Sequence, residues 1–394
     1  MSSVETSRKS FSHAVRWAYA ARLGHRGIGL LLTFILAGLL GPKHFGTIAM
    51  AMAYILFMEM LVTQGMTAAL VQRRDLTEEH LDSAFWLILL AGILLAGAGA
   101  ALGPLWGRVN GLPALGPVIA VLSLSIPINA LTIVHVALRQ RAMDFRTLAL
   151  LNGGGSIIGG AAGIAMAVAG CGIWSLVGQQ LVRCIIWSVM LWRLTDWRPR
   201  RRCSPRRLRE LLGVSGGMFV SRLGEYASSQ SDAVLMGLFF GPVAVGLYRM
   251  AERLMSTLLD VAARSLQAVS VPHFSHLQDD PPALRKALLT CIRVGTGLTI
   301  PAMALIAAVS DQLMALLGTQ WMPAAAVLKI VIIMGIVKAA TLFTDPLLLA
   351  RRRAWTIASL AWALGLLTAG TLAVVGAAMM AAAVEDQITA IALA

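Results

Sequence analysis

Gly41-Pro42-Lys43-His44-Phe45-Gly46 and Gly241-Pro242-Val243-Ala244-Val245-Gly246 are two copies of one G-P-x-x-x-G element, preceded by Arg22-Leu23-Gly24 and Arg222-Leu223-Gly224. Both sets keep one offset of about 200 residues without a gap, which is the mark of an internal repeat. Proline fixes φ and glycine tolerates bends that other residues resist, so each copy predicts a tight turn between two helices. Each half of the chain therefore begins with the same helical hairpin.

Outward from these turns the sequence is apolar. Of 394 residues 58% are hydrophobic and 13% charged, and the mean hydropathy of +0.76 is far above what a water-exposed surface permits. Apolar runs of about 20 residues, enough to cross a bilayer as a helix, recur along the chain. The ~10-residue alternation of membrane strands is missing from the pattern. The spans read as Trp17 to Leu40, Phe45 to Leu70, Ala84 to Trp106, Leu115 to Leu138, Leu148 to Val168 and Gly172 to Leu194 in the first half. Leu211 to Phe240, Val243 to Val271, Leu288 to Val309, Ala324 to Leu349 and Trp355 to Val375 follow, about eleven in all. Six spans precede the second copy, so both copies enter the membrane in the same direction, as a parallel repeat. The expectation is an all-α integral membrane protein with two pseudo-symmetric lobes.

The net charge of +14 is distributed as a topology signal. One set of alternate loops holds Arg8 and Lys9, Arg73 and Arg74, Arg139, Arg141 and Arg146, Arg285 and Lys286, Arg351 to Arg353, and the block Asp196 to Glu210 (DWRPRRRCSPRRLRE); the opposite set holds little beyond Lys43 and Arg108. Cytoplasmic loops carry the excess of Lys and Arg, which predicts a cytoplasmic N-terminus. Basic residues without aromatic interleaving give no nucleic-acid signature. The polar start and the arginine-bearing first run argue against a cleaved signal peptide. The basic block divides the chain into a six-helix lobe (1–195), a cytoplasmic linker (196–210) and a C-terminal lobe (211–394); anionic headgroup binding by the block is a second possibility beside plain topology.

Charges inside the spans are costly and mark interiors or transport paths. Arg222, Glu225, Ser229 and Asp232 share one face of the seventh span by their three- and four-residue steps, as do Arg249, Arg253, Ser256, Asp260 and Arg264 in the eighth. With Arg22 and Arg26 of the first helix they predict a wet cavity of net positive charge, suited to an anionic substrate because the planar guanidinium fork pairs with phosphate. The candidate substrate residues are Arg22, Arg26, Arg222, Arg249, Arg253 and Arg264; Glu225, Asp232 and Asp260 are candidates for ion or proton coupling. The competing account is ion pairing between helices, such as Arg222 with Asp232. Glu59, Gln64, Gln179, Gln180 and Arg183 line the same cavity or bond helix to helix. The glycines at 153–155, 159, 160 and 163 lie inside an apolar helix and predict close helix packing rather than a phosphate loop. Four scattered cysteines and seven scattered histidines offer no metal or catalytic constellation, so no enzyme and no cofactor is expected.

Four motifs carry a resemblance: G-P-x-x-F-G at Gly41 to Gly46, L-V-Q-R-R-D-L at Leu70 to Leu76, R-x-G-E-x(6)-D from Arg222 to Asp232, and G-x-Y-R-x-A-E-R from Gly246 to Arg253. Together they resemble the Wzx-type lipid-linked oligosaccharide flippases of the multidrug/oligosaccharidyl-lipid/polysaccharide (MOP) superfamily. The resemblance implies two six-helix lobes around a central cavity. It also implies transfer of undecaprenyl-pyrophosphate-linked sugar across the plasma (inner) membrane for lipopolysaccharide or exopolysaccharide synthesis, by alternating access. The implied partners are the lipid-linked oligosaccharide and membrane lipids, with polysaccharide assembly proteins as further candidates. Against twelve or more spans in the family, the tail from Gly376 to Ala394 leaves the second lobe one helix short. The alternatives are a drug/cation antiporter of the same superfamily, which wants an acidic cavity, and a non-transporting scaffold of polysaccharide assembly.

Overall fold

The computed structural model describes the main chain of residues 2–63, 66–73, 75–262, 277, 278, 280–351 and 354–392, with Gln267, Ser270 and Phe274 between them. Side chains are described from residue 27 to 376, apart from 212–222, shorter gaps between 262 and 279, 352–354, and a few single positions that include Glu225. Among the described residues all regular structure is helical, as lipid requires of a chain whose backbone groups must find partners within their own segment. The elements are α1 (Ser2–Thr63), α2 (Met66–Gln72), α3 (Glu78–Val109), α4 (Leu115–Leu122), α5 (Ser125–Ala130), α6 (Ile133–Arg141), α7 (Phe145–Val168), α8 (Trp174–Leu194) and α9 (Pro205–Ala262). They continue with α10 (Pro281–Ala308), α11 (Ser310–Leu317), α12 (Pro323–Thr341), α13 (Thr344–Ala350) and α14 (Ala354–Ala392).

Nine segments among the described residues are long and apolar enough to cross a membrane. Two of them, Gly27–Gln72 and Ser229–Val261, run through a broken helix; the eleven-span reading counts each of these as two. Their outward faces are as apolar as a core. Leu94 and Leu305 are each 64% exposed, a choice that suits acyl chains and not water.

The breaks fall on the repeated glycines. Gly41 has φ 74°, ψ 170° inside α1, and Gly241 has φ 74°, ψ −178° inside α9. A positive φ excludes a residue with Cβ from this geometry at low cost, and an extended ψ is what a following proline demands. Pro42 and Pro242 then open the next arm, where a missing N–H leaves no helical bond unmade. The predicted tight turn is thus a one-residue break, built identically in both copies.

The chain groups into two compact units, one of Leu39–Arg249 with Ala358–Ala394 and the other of Met1–Gly38 with Met250–Ile357. In the first, the second arm of α1 packs with α3 to α6 around buried Ile55, Leu70, Phe85, Ile119 and Val134. α7 and α8 lie unusually close, because Gly155, Gly159 and Gly163 recur every four residues along the contact. A Cβ on Gly159 would stand 2.7 Å from the Gln179 carbonyl oxygen, and one on Gly163 would stand 3.2 Å from that of Ser175. Close packing, as expected for this glycine run, is what the helix pair shows. Asp144 caps α7 by accepting from Thr147 N at 3.2 Å, and bonds from Thr147 and Arg139 hold its carboxyl below the usual carboxylate range.

In the second unit, Trp321 is fully buried and its Nε1 donates to the Ala37 carbonyl at 2.9 Å, so it docks the end of the first arm of α1. Gly335 of α12 admits Met255 and Met303, and Gly295 of α10 admits the ring of Phe343. Adding a methyl at either glycine would collide with side chains less than 3 Å away.

Candidate functional site

The two G-P-x-x-x-G elements meet each other. A Cβ built on Gly46 would stand 1.6 Å from the Pro242 carbonyl oxygen and 2.9 Å from Gly246 N; one on Gly246 would stand 2.0 Å from the Pro42 carbonyl oxygen and 3.1 Å from Gly46 N. The contact is backbone on backbone and reciprocal, as a two-fold relation between repeats generates. It explains why the last position of the element is glycine in both copies. Neighbouring contacts fasten the same pair of helices: Tyr226 Oη donates to the Ala53 carbonyl at 2.8 Å, its ring lies 5.3 Å from that of Phe57, and Gly237 receives the Met50 thioether.

Two of the charges expected in the cavity, Arg249 and Asp232, form an ion pair. Arg249 Nη2 lies 3.1 Å from Asp232 Oδ1 and donates to Gln230 Oε1 at 3.0 Å. Asp232 and Gln230 belong to the first arm of α9 and Arg249 to the second, so the ion pair spans the Gly241 break. Pairing lowers the cost of holding either charge away from water. The sequence placed Arg249 with the substrate and Asp232 with coupling, and weighed bridges from Arg222 to Asp232 and from Asp260 to Arg253; Arg249 is a partner of Asp232 that it did not name. Arg253 and Asp260 follow on α9, where Arg253 is exposed and Asp260 half-buried. The side chains of Arg22, Arg26, Arg222, Glu225 and Arg264 lie outside the described residues.

A second polar site, inside the first unit, was given little weight by the sequence. Glu59 Oε1 accepts from Asn129 Nδ2 at 2.6 Å and from Ser125 Oγ at 3.3 Å. Arg183 stands within electrostatic reach of Glu59 and donates from Nε and Nη2 to Gln180 Oε1 at 3.2 and 3.0 Å. Beside them is a cavity of about 100 Å³ lined by Asn129, Asn152, Gly155, Arg183, Cys184 and Trp187. The signal was present in the sequence: Asn129 and Asn152 are amides inside apolar spans.

The basic block is bonded to α3. Arg200 N donates to Asp82 Oδ1 at 3.0 Å, Ser204 N to Ser83 Oγ at 2.9 Å, and Trp86 Nε1 to the Arg200 carbonyl at 2.8 Å. Arg200 and Arg207 pair with Glu78 and Glu79 at 2.8 and 3.3 Å. Trp197 is set edge-on between Phe85 and His135, with centroids at 5.8 and 5.3 Å. Glu210 bonds His80 and Arg73, which hold its carboxyl below the usual range. That tie is in force above the ordinary glutamate pKa of about 4.3 and is lost as pH falls through the lowered value. Trp197→Ala should undock the strap, so that trypsin cuts the detergent-solubilised protein after Arg200 to Arg202 several-fold faster; an unchanged cleavage rate would contradict the docking.

The whole arrangement has known counterparts. Residues 35–326 match the family model described as "Polysaccharide biosynthesis protein". Among curated relatives, the succinoglycan biosynthesis transport protein ExoT of Rhizobium meliloti is 29% identical over 79% of this chain and 64% of its own length. The teichuronic acid biosynthesis protein TuaB of Bacillus subtilis is 23% identical over 76% and 62%, and the lipopolysaccharide biosynthesis protein WzxC of Escherichia coli is 21% identical over 88% and 71%. The chain thus spans a little under two thirds of the length of ExoT and TuaB. Among solved structures, the lipid II flippase MurJ in an inward closed conformation aligns at TM-score 0.75 with 14% identity, over 88% of this chain and 78% of its own. An inward-facing multidrug resistance MATE transporter of the MOP superfamily aligns at 0.65 with 16% identity, over 86% and 83%. The fold is like that of these two solved structures, and the chain is a multi-pass membrane protein, as the motifs led one to expect.

Proposed function

We infer that this chain, which belongs to the polysaccharide biosynthesis protein family, moves lipid-linked oligosaccharide from the cytoplasmic to the outer leaflet of the plasma membrane. The family match along 35–326, on a fold shared with a lipid II flippase, is the observation that carries the proposal. The curated relatives are named for different polymers, but all of these are polysaccharides, so the substrate class is a saccharide on a lipid carrier. In this scheme Arg22, Arg26, Arg222, Arg249, Arg253 and Arg264 receive the pyrophosphate, whose two charges call for several guanidinium groups in a low-dielectric path. Glu225, Asp232 and Asp260 supply the titratable or ion-binding step. The lobes 1–195 and 211–394 rock about the site, and the N-terminus is cytoplasmic. A drug/cation antiporter wants a surplus of acid, whereas the intramembrane charges here are mostly arginine.

Complementation tests this. Expressed in a bacterium whose own polysaccharide flippase is deleted, the chain should restore surface polymer, and the Arg222→Ala/Arg253→Ala double variant should lose it while reaching the membrane at normal level. Full export by the double variant would sink the cationic path. Absence of polymer despite normal insertion of the unmodified chain would sink the flippase assignment for that substrate.

A further inference from the structure

We propose that the polar cavity between α5, α7 and α8 binds a neutral sugar ring, a headgroup subsite that rests on the saccharide-transport assignment above.

Size comes first. At about 100 Å³ the cavity is several times what one water needs, and is of the order of the ~150 Å³ apolar cavity that accepts a benzene ring. A six-membered ring is therefore the scale of occupant, with modest adjustment of the walls. Chemistry narrows it further. Each hydroxyl of a sugar is both donor and acceptor, so it is satisfied by a wall that offers both. The Asn129 and Asn152 amides offer both and Arg183 donates, while the half-buried Trp187 adds an apolar aromatic face.

Charge separates a sugar from a cation. Arg183 is the charged residue of the wall, and the Glu59 carboxyl stands one step behind Asn129 and is bonded to it. A cation at this place meets the guanidinium. A neutral polyol meets no such penalty.

The site is also built before any ligand arrives. Asn129 is oriented by Glu59, the Arg183 guanidinium by Gln180, and the α8 backbone by the glycine groove, in which a Cβ on Gly155 would stand 3.3 Å from the Arg183 carbonyl oxygen. Pairing of α7 with α8 does not require Asn152 or Arg183, because the glycine stripe already brings the two helices together.

The experiment is saturation-transfer NMR on the full chain in lipid nanodiscs. The probes are the methyl glycosides of glucose, galactose, mannose and N-acetylglucosamine, and the unmodified chain is compared with Asn152→Leu and the milder Asn152→Ser. The expected result is transfer to at least one glycoside, at least five-fold weaker in Asn152→Leu and intermediate in Asn152→Ser. Equal transfer in all three proteins, or none to any of the four probes, overturns the subsite. If Asn152→Leu fails to fold, Asn152→Ser decides by the same comparison. Complementation by the unmodified chain is scored separately, so restored polymer without glycoside binding refutes this subsite alone, and binding without polymer refutes the flippase assignment alone.

Discussion

Gly46→Ala and Gly246→Ala are each expected to lower the apparent melting temperature of the purified protein by several degrees and to abolish polymer export. The obstruction in both is a carbonyl oxygen of the opposite turn, 1.6 and 2.0 Å from the added carbon. Main chain cannot rotate aside as a side chain does, so the two turns must separate by more than 1 Å (roughly) to reach an ordinary contact, and forced overpacking of this kind costs about 1–3 kcal/mol or more. One separation relieves both collisions. The double variant should therefore lose clearly less than the sum of the singles, the non-additivity expected of residues in direct contact. Gly97→Ala is the control, because nothing lies within 4 Å of a Cβ there and alanine in a helix interior is favoured over glycine by up to ~1 kcal/mol. A Gly46→Ala protein as stable as the Gly97→Ala control would show that the two turns do not touch.

This contact shows where the sequence is informative and where it stops. The repeat itself was legible, since a gapless offset needs no structure to be seen, and Gly-Pro specified a break whose dihedral angles agree in the two copies. That Gly46 rests on Pro242 and Gly246 on Pro42 was not legible, because a motif read along the chain does not say which motif lies across from it. The same limit governs the charges. Three- and four-residue steps relate Glu225 and Asp232 within one helical arm, but a partner of Asp232 lies beyond a backbone break, at Arg249, where helical periodicity no longer relates positions. The basic block was conspicuous in the sequence from its charge, whereas its docking depends on Trp197 and on backbone N–H groups of Arg200 and Ser204, which carry no sequence signature. Asn129 and Asn152 were visible only as isolated amides. Their meaning comes from a cavity that three separate helices enclose.

Asp232→Ala and Arg249→Ala should each be strongly destabilising, and their combination should separate structure from transport. Removing one member of a largely buried pair takes the opposite charge away from the other, at a cost of roughly 3 kcal/mol when some exposure remains. Removing both takes out the carboxylate and the guanidinium together, so Asp232→Ala/Arg249→Ala should recover most of the membrane level and melting temperature lost by either single variant. Export decides the rest. The proposed mechanism assigns Arg249 to the pyrophosphate and Asp232 to coupling, and a helix brace that opens across Gly241 when the substrate carries its own negative charges would let one guanidinium serve both purposes. On that assignment the double variant remains inactive despite normal stability, and the charge-reversed pair Asp232→Arg/Arg249→Asp is equally stable and equally inactive. Restored export in the double variant would instead make the pair a static brace, and would leave the remaining arginines of α1 and α9 to carry the substrate's charge.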